Sequence, residues 1–164
     1  MAKSTKRSAG RSAKKPVAKT KVGPRFDFKA SYGVVISSDG ALLATCGKTG
    51  GPTVWDIASG RMLAKCDMFK HSSRLAFSPS GKFVAGFSTS GEVSVCDAQT
   101  GVSVAKSKAC QEEGSFISFS PGGKELAAAN WGGEIWSWNT RTWKAKCVFE
   151  GDVNFQGGAF LPDG

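Results

Sequence analysis

Residues 74–97 read RLAFSPSGKFVAGFSTSGEVSVCD, and the segments on either side repeat that pattern. The stretch parses as three short strands. LAFS closes at Ser78-Pro79-Ser80-Gly81, KFVAGFS closes at Ser90-Gly91, and EVSVCD runs out before Gly101. β-branched and aromatic runs cut off by Gly, Pro and Ser are strand chemistry, and no helix-period segment of useful length competes with it. Gly40, Gly81, Gly123 and Gly164 lie 41, 42 and 41 residues apart. Asp56, Asp97 and Asn139 keep that interval, as do Gly60, Gly101 and Trp143.

Written out, the units are GVVISSDG-ALLATCGKTGGP-TVWDIASG-RMLAKC, then RLAFSPSG-KFVAGFSTSG-EVSVCDAQTG-VSVAKSK, then SFISFSPGG-KELAAANWGG-EIWSWNTRTW-KAKCVFE. A fourth opens with NFQGGAFLPDG. Four strands recurring every 40–45 residues or so are the mark of propeller blades, in which each sheet hides its faces against its neighbours. The expected fold class is all-β: about three complete four-stranded blades plus one strand over residues 26–164, behind a tail at 1–25.

The units resemble WD-repeats. The inner-strand turn reads Ile36-Ser37-Ser38-Asp39-Gly40, Phe77-Ser78-Pro79-Ser80-Gly81, Phe119-Ser120-Pro121-Gly122-Gly123 and Phe160-Leu161-Pro162-Asp163-Gly164. The Trp-Asp position reads Trp55-Asp56, Cys96-Asp97 and Trp138-Asn139. The family often places an Asp before the third strand, bonded to a His of a Gly-His pair. Thr49, Ser90 and Gly132 occupy that position, and the single histidine, His71, follows no glycine. The resemblance is therefore to a divergent member, whose blades must be held by packing of Leu42, Leu43, Phe83, Val84, Leu126, Trp55 and Trp138. It implies a rigid platform for protein or peptide partners rather than an enzyme, and fold alone does not name the partner.

Charge is confined to one end. Residues 1–25 carry nine basic side chains (Lys3, Lys6, Arg7, Arg11, Lys14, Lys15, Lys19, Lys21, Arg25) and no acid, while the other 139 residues carry 13 basic and 13 acidic. With so little to bury, the tail is expected to be disordered. It reads as a polyanion-binding arm able to contact nucleic-acid phosphates, as a nuclear address, or as a solubilising tail. No apolar stretch approaches 18 residues, so no membrane span is expected. Cys46, Cys66, Cys96, Cys110 and Cys147 form no CxxC pair. They read as small buried hydrophobes in a reducing, intracellular home, cytoplasmic or nuclear, and Cys46, Cys96 and Cys147 are expected to be shielded.

Catalytic and cofactor chemistry find no support in the residues. Gly47-Lys48-Thr49 looks like the end of a phosphate-binding loop, but Leu42 stands where that loop needs glycine. One histidine supplies neither a metal cluster nor a nucleophile triad. Glu112-Glu113 reads as a solvated connection between blades. Recognition is expected on the loops 48–52, 88–91 and 130–133, with Trp131, Asn130, Lys48, Thr49, Ser90 and His71 as candidate contacts; Trp131 stands out because its counterparts are small or polar. Three blades and a strand do not close a ring, so the chain is expected to be a piece of a longer protein or, alternatively, to assemble with further copies.

Overall fold

The computed structural model describes residue 26 and residues 33–47, 51–68 and 72–162. Twelve strands form among them: β1 (Gly33–Ile36), β2 (Leu42–Cys46), β3 (Thr53–Asp56), β4 (Met62–Lys65), β5 (Ser72–Phe77), β6 (Phe83–Ser88), β7 (Glu92–Asp97), β8 (Ser103–Lys108), β9 (Gly114–Phe119), β10 (Glu125–Asn130), β11 (Glu134–Asn139) and β12 (Ala145–Glu150). They make three four-stranded antiparallel sheets, β1–β4, β5–β8 and β9–β12, each a simple meander. The first strands adjoin in series, β1 beside β5 and β5 beside β9, so the sheets stack as successive blades. In the fourth unit, residues 151–162 pass over the third blade without strand pairing.

Alternation along each strand sends two sets of side chains to opposite faces, and both are apolar. The second blade turns Leu75, Phe77, Val84 and Cys96 toward Leu42, Ala44, Val54 and Ala64 of the first. Its other face sets Ala76, Ala85, Phe87, Val93 and Val95 against Ile117, Phe119, Leu126 and Trp138 of the third. Every rearward residue of the second blade reappears 42 positions later in the third: Leu75 as Ile117, Phe77 as Phe119, Val84 as Leu126, Cys96 as Trp138. The periodicity of the sequence is thus the periodicity of an interface. The packing residues expected from the sequence are buried, with Val84 and Leu126 fully so and Phe83 partly.

Cys96 occupies the position held by Trp55 in the first blade and Trp138 in the third. The missing indole volume is taken by Cys66, which follows β4 of the preceding blade and is disulfide-bonded to Cys96, with Cα atoms 6.2 Å apart. Both sulfurs are buried. The reading of the cysteines as unpaired is corrected here for this pair, and Cys147, expected to be shielded, is exposed on β12. Cys46 is buried as expected.

The recurring Asp/Asn at the end of the third strand locks the next turn. Asp97 Oδ1 accepts hydrogen bonds from the amides of Gln99 and Thr100, both at 3.0 Å, and from Thr100 Oγ1 at 3.1 Å. Asn139 Oδ1 does the same for Arg141 and Thr142 at 3.1 Å, and Asp56 for Ser59. The turn ends in a left-handed residue, Gly60 or Gly101 in the first two blades. In the third that residue is Trp143, at φ 55°, a conformation costly for a bulky side chain. Its ring meets Phe83 of the second blade edge-on at 5.6 Å, a further contact between blades.

Outermost faces remain open. Val34 and Ile36, the counterparts of Leu75 and Phe77, are more than half exposed, and every residue of β12 is exposed, Val148 and Phe149 among them. Phe26 covers part of the first blade by meeting Trp55 edge-on at 6.1 Å.

Two outcomes follow. A disulfide closing a 30-residue separation stabilises by about 3–4 kcal/mol through the unfolded chain. Denaturant melts of Cys66→Ala should show that loss; an unchanged midpoint would mean that the link contributes nothing. The carboxyl of Asp56 is held below its ordinary value by its bond from the Ser59 side chain, and that of Asp97 by its bond from the Thr100 amide. A folded-state value below the unfolded one stabilises above the unfolded value, near pH 4, and is lost as pH falls through the folded one. Asp56→Asn with Asp97→Asn, copying Asn139, should therefore flatten the acid limb of the stability curve, and an unaltered limb would count against these bonds.

Candidate interaction surface

In the second and third blades the turns joining second to third strands lie at one end, beside the link that runs between those two blades. Gly91, in the β6–β7 turn, accepts the amides of Ala109 and Cys110 at 3.1 and 3.3 Å. In the third blade the Trp131 amide reaches the Glu113 carbonyl at 3.2 Å, and the Gly151 amide reaches Gly133 at 3.1 Å. Turn and link are thereby stitched into one rim. Gly133, at φ 83°, is required twice over, because a Cβ there would run into the Gly151 carbonyl.

In the second and third blades a side chain at the end of the second strand closes the turn from inside. Ser88 Oγ accepts the Glu92 amide at 2.9 Å. Its counterpart Asn130 accepts the Glu134 amide at 2.8 Å through Oδ1 and donates through Nδ2 to Glu134 Oε2 at 2.7 Å. These bonds replace the Asp–His pair that the repeats lack. Asn130 is accordingly a framework residue: it is 1% exposed, with its amide spent on Glu134, and has almost no surface to offer a partner. Ser90 is exposed, its hydroxyl shared between Ser88 at 3.0 Å and Glu92 at 3.2 Å. Lys48, Thr49, His71 and the nine basic tail residues lie outside the described residues.

Trp131 is 39% exposed at the tip of the β10–β11 turn. It borders a small hollow of about 150 Å³ with Gly132, Asp152, Val153 and Asn154. Beside it opens a cleft of about 690 Å³, walled by Gln111, Glu112, Gly132, Glu134, Glu150, Gly151 and Asp152. Among the described residues, four carboxylates and no cation line it. Gly132 keeps the cleft open, since a Cβ at that position would sit 2.8 Å from Glu112 Cγ. Sequence reasoning dismissed Glu112 as a solvated link residue and missed Glu134, Glu150 and Asp152. Nothing in their spacing joins them; the blade meander does. Among the described residues no group of three or more His, Cys, Asp or Glu is placed to hold a metal ion, and no helix is long and apolar enough to cross a membrane.

No family model and no curated protein matches the chain. Solved structures do. Hydrazine synthase from Kuenenia stuttgartiensis superposes with a TM-score of 0.71 at 21% identity over 86% of this chain and 41% of that one. The WD40 repeats of RRP9 give 0.71 at 18% identity, over 81% of this chain and 42% of that one. U3-55K gives 0.70 at 18% identity, over 81% of this chain and 43% of that one. The chain spans less than half the length of each. At such identities the likeness speaks for the fold alone.

Asn130 and Trp131 are adjacent but do different work, and stability separates them. Asn130→Ala leaves a buried turn amide unpaired and should cost about 1–3 kcal/mol, whereas Trp131→Ala removes a side chain that makes none of these turn bonds and should cost less. Equal losses in chemical denaturation would contradict the assignment. The match of stacked four-stranded meanders to known WD40 repeats gives the described residues the fold of three consecutive blades of a WD40-type β-propeller.

Proposed function

We propose that the protein is a non-catalytic scaffold that presents its rim, between the second and third blades, to protein or peptide partners. The observation that carries this reading is the exposed indole of Trp131 on a turn whose framework is fully satisfied without it. Ser88 and Asn130 show that the turn needs only a short polar side chain inside and glycine at its close. An indole at the tip adds nothing to that geometry, and its large, stiff, amphipathic surface is the kind that dominates binding hot spots. The rim around it is rigid, being bonded to the neighbouring link through backbone groups, so little ordering entropy opposes binding.

Site-specific photo-crosslinking tests this directly. A photoreactive residue in place of Trp131 should give discrete partner adducts in cell extract, and the same residue in place of exposed Lys124, in the turn between β9 and β10 at the opposite end, should not. Equal labelling from both positions, or none from position 131, would overturn the proposal.

A further inference from the structure

We propose that the acidic cleft beside Trp131 is the docking site of the chain's own basic N-terminal segment, residues 1–25. This inference names an occupant for the rim and rests on the reading of that rim as a recognition surface. Residues 26–164 hold equal numbers of acids and bases, yet the cleft gathers Glu112, Glu134, Glu150 and Asp152 with no lysine or arginine among the described residues of its walls. Such a local excess attracts cations at close range, where screening is weakest. The second observation is independent of the carboxylates. The exposed Trp131 ring borders the adjoining hollow, which shares Gly132 and Asp152 with the cleft. An aromatic face next to carboxylates is suited to a lysine stem or a guanidinium, which stacks on the ring while its charge meets the acids.

The same chain supplies the complementary ligand, nine lysines and arginines within 25 residues and no acid among them. Reach is no obstacle. Twenty-five residues extend to about 80 Å, against a radius of gyration of about 14 Å for a folded body of 139 residues. Binding in cis makes the contact independent of protein concentration and gives it a high effective concentration. Its consequence is regulatory. Basic side chains held in the cleft are withheld from external polyanions, and an external basic segment that takes the cleft releases them.

Limited trypsin digestion of the full chain provides the test. Cleavage within residues 1–25 is timed for wild type, for a variant carrying Glu112→Gln, Glu150→Gln and Asp152→Asn, and for Trp131→Ala. Glu134 is left intact because it holds Asn130. In about 25 mM salt the wild-type tail should be cut roughly tenfold more slowly than that of the neutralised variant, the combined worth of a few exposed ion pairs and one cation–π contact. Trp131→Ala should fall between them, and all three should converge in about 0.5 M salt, where charges are screened. Cleavage after Lys82 and Lys124 reports the folded body and should be the same in all three. Equal tail cleavage in wild type and the neutralised variant at low salt overturns the proposal, as does protection that rises with protein concentration, which would place the tail on a second copy. If crosslinking from position 131 still captures a partner while the tail is unprotected, this inference fails and the rim reading survives.

Discussion

Each sheet of this molecule is apolar on both faces and cannot hide either one by itself, and the rest of the structure answers to that constraint. The middle blade meets it twice, with Leu75, Phe77, Val84 and Cys96 turned one way and Ala85, Phe87 and Val95 the other. Alanines sit among the larger side chains of both layers, Ala76, Ala85 and Ala128 in one and Ala44, Ala64 and Ala98 in the other. Where the pattern loses a large side chain, at Cys96, a covalent link from the previous blade occupies the gap. Where a turn loses its glycine, at Trp143, the intruding ring is packed against the neighbouring blade. Two departures from the repeat thus become two contacts across the same kind of interface.

Much of the fold was legible in the chain because the interface repeats with the sequence. The interval from Gly81 to Gly123 located the turns, and the four strands of each unit fell where the apolar runs did. The Asp97 and Asn139 positions were visible as landmarks, and their work as turn locks emerged only with the hydrogen bonds. The disulfide was hidden because it joins Cys66, outside any strand, to a residue of another sheet. The one clue was volumetric: a cysteine at a position that takes tryptophan in both flanking units. Burial of Cys147 was expected from its place in a strand pattern, but β12 is the edge strand of its sheet and all of its residues are exposed.

The proposed recognition surface was half legible. Trp131 stood out because its counterparts are small, and it is exposed as that contrast suggested. Asn130, its neighbour, has the same look in sequence and the opposite role, because strand alternation and the turn turn it inward onto Glu134. The cleft could not be read at all. Glu112 belongs to a link, Glu134 to the start of β11, and Glu150 and Asp152 to the end of β12 and beyond, so only the topology assembles them. Their meeting point lies where a turn and a link are bonded together through backbone groups.

Amide hydrogen exchange tests the stacking most directly, because it reads each strand separately. If neighbours rather than the sheets themselves supply stability, the slowest amides must belong to β6 and β7, the interior strands of the blade covered on both faces. The equivalent strands β2 and β3, in a blade covered on one face by a single full neighbour, must exchange faster. Equal protection of the corresponding strands in the first and second blades, or slower exchange in the first, would contradict the account.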